Sequence, residues 1–157
     1  MNTNDDCRTY VEHLRNEHVH IDRALLELQH LFSQTVESRE SDPTAILLAK
    51  LTTLRDALRK HFREEEEGGC LEEARSRVPC LSEDVHALQA EHAEFLATLD
   101  SMITKAEALA AQSATIQELH ATFSDFLHRL HQHESEENRI LLFGFGSSAM
   151  ETLSTST

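Results

Sequence analysis

Two histidine–glutamate pairs interrupt apolar helical stripes in this chain. Leu47, Leu51, Leu54 and Leu58 step by four, three and four, which is one buried face of a helix, and the next two positions on that face are His61 and Glu65. Further on, the stripe Phe123, Phe126 and Leu130 runs into His133 and Glu137 before returning to Leu141. A carboxylate turned into a core costs several kcal/mol unless something compensates it. At this spacing the two Cβ atoms of a pair are ~5–6 Å apart, so imidazole and carboxylate reach one point between helices. A metal ion at that point satisfies both groups; the plainer alternative is an internally hydrogen-bonded polar pair.

Two more stripes carry a single histidine in a core slot. His18 sits in Val11, Leu14, His18, Ile21, Leu25, Leu28 and Phe32; His92 sits in Val85, Leu88, His92, Phe95, Leu99 and Met102. Either alone is an ordinary core histidine. Together with the two pairs they make four histidines and two glutamates. Neutral imidazole and carboxylate suit iron, manganese or zinc, and the absence of cysteine from the stripes disfavours a thiolate site. Six protein donors are many for one ion with an exchangeable position. They are natural for two ions bridged by Glu65 and Glu137.

Four helical segments must position these groups. The first is expected over about Asp5 to Glu37. After a polar connection, Ser38 to Asp42, the second has Ser41 or Asp42 as its cap, Pro43 at its first position, and a stop at Gly68-Gly69 after Glu67. Cys70 to Leu81 reads as a connection of mixed composition, with room for a short turn of helix at Leu71 to Ala74. Ser82 is the expected cap of the third segment, with Glu83 and Asp84 in its first turn, where the dipole favours acid. After a soft join at Ala111 to Ala114, Thr115-Ile116-Gln117-Glu118 has the pattern of a capping box and opens the fourth, which ends at Gly144 and Gly146. Ser147 to Thr157 reads as a frayed tail. The expected organisation is one domain over 1–146 and a tail over 147–157.

The segments repeat as two pairs. Leu14-x-x-Glu17-His18-x-x-Ile21 matches Leu88-x-x-Glu91-His92-x-x-Phe95, and Leu58-x-x-His61-x-x-x-Glu65 matches Leu130-x-x-His133-x-x-x-Glu137. This predicts an all-α, antiparallel, up-down-up-down four-helix bundle with an internal two-fold pseudo-repeat. His18 and His92 fall early in their segments, His61 and His133 late. With short joins, early in one helix and late in the next is the same end of the bundle, so all six groups can share a layer.

Competing assignments exist. His131 and Glu136 form a rival pair at a spacing of five, and Glu64 is one step from the ligand face and could replace Glu65. Glu64, Glu66 and Glu67 otherwise read as a solvated face. His13, His20, His30, His86, His120 and His128 fall off the stripes and read as surface residues. Glu17-x-x-His20, Glu27-x-x-His30 and Glu83-x-x-His86 imitate a ferritin-like element but lack matching core carboxylates.

Composition sets the bounds. The chain has 157 residues, four Gly, two Pro and no Trp, too few breakers for a strand-and-turn fold. A net charge of −14 argues against nucleic acid and anionic membrane surfaces as partners. No apolar run approaches the ~20 residues of a spanning helix, and the acidic start Met1 to Asp6 is unlike a signal peptide. Three cysteines, an odd number, fit a reducing compartment, and a cytoplasmic location is expected.

From about Val11 to Phe143 the residues resemble the hemerythrin-like, or HHE cation-binding, domain family. The matching motifs are Glu17-His18, His61-Phe62-Arg63-Glu64-Glu65, Glu91-His92 and Glu137-Asn138-Arg139-Ile140-Leu141. The resemblance implies a four-helix bundle around a non-haem di-iron centre, with His18, His61, His92 and His133 as terminal ligands and Glu65 and Glu137 as bridges. Oxygen-carrying hemerythrins have a further histidine one turn before the third-helix ligand, where this chain has Leu88. Sensing or binding of O2, NO or peroxide, or handling of iron, is therefore expected ahead of oxygen transport. The alternative is a di-iron enzyme reducing peroxide or nitric oxide, for which no general acid or base stands out. Cys7, Cys70 and Cys80 are expected near the metal end, where oxidation of a thiolate would be a redox readout.

Overall fold

The computed structural model describes residues 3–37, 42–111 and 114–146, and the described elements are all helical. They are α1 (Thr3–Glu37), α2 (Thr44–Gly68), α3 (Cys70–Arg77), a 3-10 turn (Pro79–Leu81), α4 (Ser82–Ala110) and α5 (Ile116–Phe145). The side chains of residues 3–7, Cys7 among them, lie outside the described set, as do Ser41 and the expected tail 147–157.

The four long helices bury the expected stripes. Leu14, Ile21, Leu25, Leu28 and Phe32 of α1, and Leu47, Leu51, Leu54 and Leu58 of α2, are each at most 4% exposed. Pairings between neighbouring helices run in opposite numerical order. His18 meets His61 while Glu27 meets Lys50; Glu66 meets His92 while Arg55 meets Asp100; Glu91 meets His133 while Asp84 meets Arg139. Among the described residues no helix is long and apolar enough to cross a membrane.

The apolar interior has two parts. The larger runs from Phe32 and Leu47 to Phe62, Phe95 and Leu130; the smaller gathers Cys70, Leu71, Ala74, Leu81, Val85, Leu88, Ile140 and Leu141. Along α4 and α5 the buried groups His92, His133 and Glu137 fall in sequence between the two parts, and on α2 His61 and Glu65 flank Phe62, the last of that helix's residues in the larger part. The polar layer divides the core.

Several boundaries differ from expectation. The stretch after Gly69 is an eight-residue helix rather than a connection, because Cys70, Leu71 and Ala74 share a face that is buried in the smaller core part. Ser82 is the first residue of α4 and not its cap; the preceding 3-10 turn leads into the helix with no side-chain cap bond. At α2, Asp42 does act at the entrance, its Oδ1 accepting the Thr44 N–H at 3.0 Å, while Pro43 stands just before the helix. α5 continues through Gly144, where Ala74 of α3 lies so close that a side chain has no room. It stops at Gly146, whose φ is 72°. The capping box at Thr115 and Glu118 is formed in both directions.

Candidate metal centre

α1, α2, α4 and α5 each contribute to one polar cluster. Donor atoms of His18, His61, Glu65 and Glu137 lie within 4.8 Å of one another, and so, as a second group, do those of Glu65, His92 and His133. Glu65 belongs to both. Its Oε1 is 2.6 Å from His61 Nε2 and 3.9 Å from His18 Nε2, while its Oε2 is 3.1 Å from His92 Nε2. His18 Nε2 is 2.9 Å from His61 Nε2 and 3.9 Å from Glu137 Oε2. All six sequence-selected residues are thus brought together. His18 departs from a fully buried core slot, its side chain being 19% exposed.

The opposite edges of the rings carry carboxylates. Nδ1 of His61 is 3.1 Å from Glu17 Oε2, Nδ1 of His92 is 2.8 Å from Glu66 Oε1, and Nδ1 of His133 is 2.8 Å from Glu91 Oε2. A carboxylate at Nδ1 holds the ring proton there and leaves Nε2 as a lone pair facing inward. Glu66 therefore does not belong to a merely solvated face. Its signal in the sequence was adjacency: an acid directly beside a ligand-face residue, as at Glu17-His18 and Glu91-His92.

The rival residues are engaged elsewhere. Glu64 meets His13 at 2.7 Å and Lys60 at 3.2 Å, and its carbonyl accepts from the Tyr10 hydroxyl. Glu136 is held by Arg139, and exposed His131 groups with Asp22 and Glu134 instead. His120 is no plain surface residue, because its ring stacks on Phe32 with centroids 5.3 Å apart. Tyr10 escaped the sequence reading. Burial, together with the charges of Glu65, Cys70, Glu137 and Glu64, pushes its hydroxyl far up, so it stays protonated.

Aromatic rings wall one side. Phe62 lies flat on His92, with centroids 4.1 Å apart and planes 7° apart, and Phe95 meets His133 edge-on at 5.2 Å. Burial is the largest influence on His18 and His61 and works to lower both, but hydrogen bonding to Glu65 together with further carboxylates, Glu137 at His18 and Glu17 at His61, lifts them above the ordinary imidazole value. His133 is lowered by burial and the nearby His92, against the pull of Glu91. Burial also works to raise Glu65, yet His18, His61 and His92 hold it well below the usual carboxylate range. Glu137 goes the other way, raised by burial and by the charge of Glu65. Without a cation, one carboxyl of the pair keeps its proton because two adjacent buried negative charges repel.

Whether the cluster suits a metal can be judged from its unsatisfied atoms. Glu65 Oε1 and Oε2, His92 Nε2, His133 Nε2 and Glu137 Oε2 are buried and make no well-formed hydrogen bond while the ring protons sit at Nδ1, the nearest neighbours of the Glu65 oxygens being the inward ring nitrogens of His61 and His92 at 2.6 and 3.1 Å. Each such atom costs roughly 1–3 kcal/mol. All five are Lewis-basic atoms, and a cation removes the deficit in one step. The family model described as "Hemerythrin HHE cation binding domain" matches residues 9–143. The chain belongs to the hemerythrin HHE family. No curated protein and no solved structure matches it. Membership implies cation binding, typically of iron, and the histidine and glutamate groups of this hemerythrin-like domain fit that chemistry.

Of the cysteines, Cys70 is buried and Cys80 exposed, and neither is in a disulfide. Cys70 lies in the smaller core part, on the far side of the polar layer from Phe62.

Proposed function

We propose that this chain is a non-haem di-iron protein that binds or senses a small molecule, O2, NO or peroxide, or handles iron, and does not transport oxygen. The single observation carrying this reading is that two donor groups share Glu65 while five buried inward atoms make no well-formed hydrogen bond. In this reading His18 and His61 would hold one ion and His92 and His133 the other, with Glu65 and Glu137 as the carboxylates available to both. The oppositely ordered pairings along neighbouring helices support an antiparallel, up-down-up-down bundle with a pseudo-repeat, taken as one domain over 1–146 in a cytoplasmic protein.

A bound iron pair supplies an open position for a diatomic ligand and one-electron redox steps. The chain's own residues do the rest. Glu17, Glu66 and Glu91 hold three rings with Nε2 inward. Phe62 and Phe95 keep water from the His92 and His133 side. Leu88, 3% exposed and one turn before His92, offers no donor, which argues against the ligand set of an oxygen carrier.

Metal content per chain and an ultraviolet–visible spectrum through a reduction and re-oxidation cycle test this. About two irons, with near-ultraviolet absorption that bleaches on reduction and returns slowly in air without a stable oxygen adduct, are expected. Substoichiometric iron in a fully helical chain overturns the reading. Turnover of peroxide or nitric oxide by the loaded protein would move it to the enzymatic alternative.

A further inference from the structure

The supporting carboxylates are not shared out evenly. His61, His92 and His133 each have one at Nδ1. Among the described residues none is hydrogen-bonded to Nδ1 of His18, whose contacts with His61, Glu65 and Glu137 are all made by Nε2. The pseudo-repeat says where a fourth would stand. Glu66 follows the bridging-position Glu65 on α2 and reaches across to His92 on α4. The matching residue on α5, following Glu137, is half-buried Asn138, which carries no charge; by the repeat it would stand on the side of α1. Exposure separates the same ring: the His18 side chain is 19% exposed, against 4% for His61 and His92 and 1% for His133.

From this asymmetry we infer that His18 is the releasable ligand of the centre, and that Glu66 and Asn138 are the positioning residues that make the two halves unequal. A ring whose Nδ1–H is held by a carboxylate has its orientation and tautomer fixed and its Nε2 made more basic; outer groups of this kind change metal affinity ~10–100-fold. His92 and His133 are both held in this way, and aromatic rings cover them. His18 has Glu65, Glu137 and His61 about its Nε2, but no carboxylate bonds its Nδ1 edge, and its ring is the most open to solvent of the four. Ring rotation there vacates a coordination position on the His18–His61 half without disturbing the other half, and exchange of metal begins on that half.

The inference rests on the di-iron reading, so the test separates the two. The full chain is loaded anaerobically with Fe2+, its iron is counted, and a chromogenic iron chelator is added in excess while release is followed. Two irons leaving in two phases of equal amplitude are expected. Asn138→Glu should slow the fast phase ~10-fold and leave the slow one unchanged. Glu66→Gln should speed the slow phase by a similar factor. Glu66 is half exposed, so that variant keeps its fold, which circular dichroism checks. Glu67→Gln, which removes the same charge from an exposed neighbour, should alter neither phase. Two irons leaving in a single phase, a fast phase indifferent to Asn138→Glu, or an effect of Glu67→Gln equal to that of Glu66→Gln overturns the inference. Failure to load two irons overturns the reading beneath it.

Discussion

Glu137 is the residue at which function and stability pull apart. Its carboxyl is raised well above the ordinary value by burial and by Glu65, so the folded metal-free chain keeps a proton that the unfolded chain sheds as pH rises. That contribution is present in acid and is lost as pH rises towards the folded value. Glu65 has the opposite sign. Held down by its histidines, it contributes above the ordinary carboxylate range and loses that contribution as pH falls through its folded value. Glu137→Gln removes the repulsion but keeps the shape. At pH 7 the metal-free variant should be ~1–2 kcal/mol more stable than the parent, about 2–8 °C in Tm, while binding fewer than two ions. Calorimetry on chelator-treated protein with parallel metal counts checks this, and a lower Tm would show that Glu137 supports the apo fold. The residues of the polar layer were legible because a polar side chain in a core slot interrupts an apolar stripe without breaking its period of 3.6. Their carboxylate supports were not, since Glu66 and His92 meet only when α2 and α4 are side by side.

At the scale of elements, the informative contact is α3 against α5. A Cβ on Gly144 would lie 2.7 Å from Ala74 Cα and closer still to its Cβ, so backbone meets backbone there. Gly144→Ala must push the helices apart and should cost ~1–3 kcal/mol, read as a lower urea midpoint at unchanged slope. Gly69→Ala is a useful contrast. A Cβ there meets nothing, but φ is 76°, so the cost of ~1–2 kcal/mol comes from the backbone alone. These features explain two misreadings. Gly144 signalled a helix end, yet glycine also serves close approach, which a single sequence does not separate. Cys70 to Leu81 looked like a connection because its one apolar face is short and becomes decisive only against α5 and α4.

For the whole molecule, the polar layer places a stability cost in the middle of the core, and a cation recovers it. Free metal at 100 times its dissociation constant contributes about 2.7 kcal/mol. The loaded protein should therefore melt higher than the chelated protein, with the shift growing as metal is raised, while the chelated chain keeps its helical circular dichroism because the larger core part contains no metal-layer residue. A scanning fluorimetry titration with Fe2+ under anaerobic conditions reads both. Unchanged melting across the titration would place the cation elsewhere or nowhere.

The sequence by itself determined the helical class, the stripes, the capping box at Thr115 and the six residues of the layer. All of these follow from periodicity within one helix or from spacings a helix translates directly into distance. Only the tertiary structure decided that Glu65 faces both donor groups, that His18 stands most open to solvent, that Glu17, Glu66 and Glu91 back three rings, and that α3 closes against Gly144. Each of those depends on which faces of different helices meet and at what height, and no spacing along one helix encodes that.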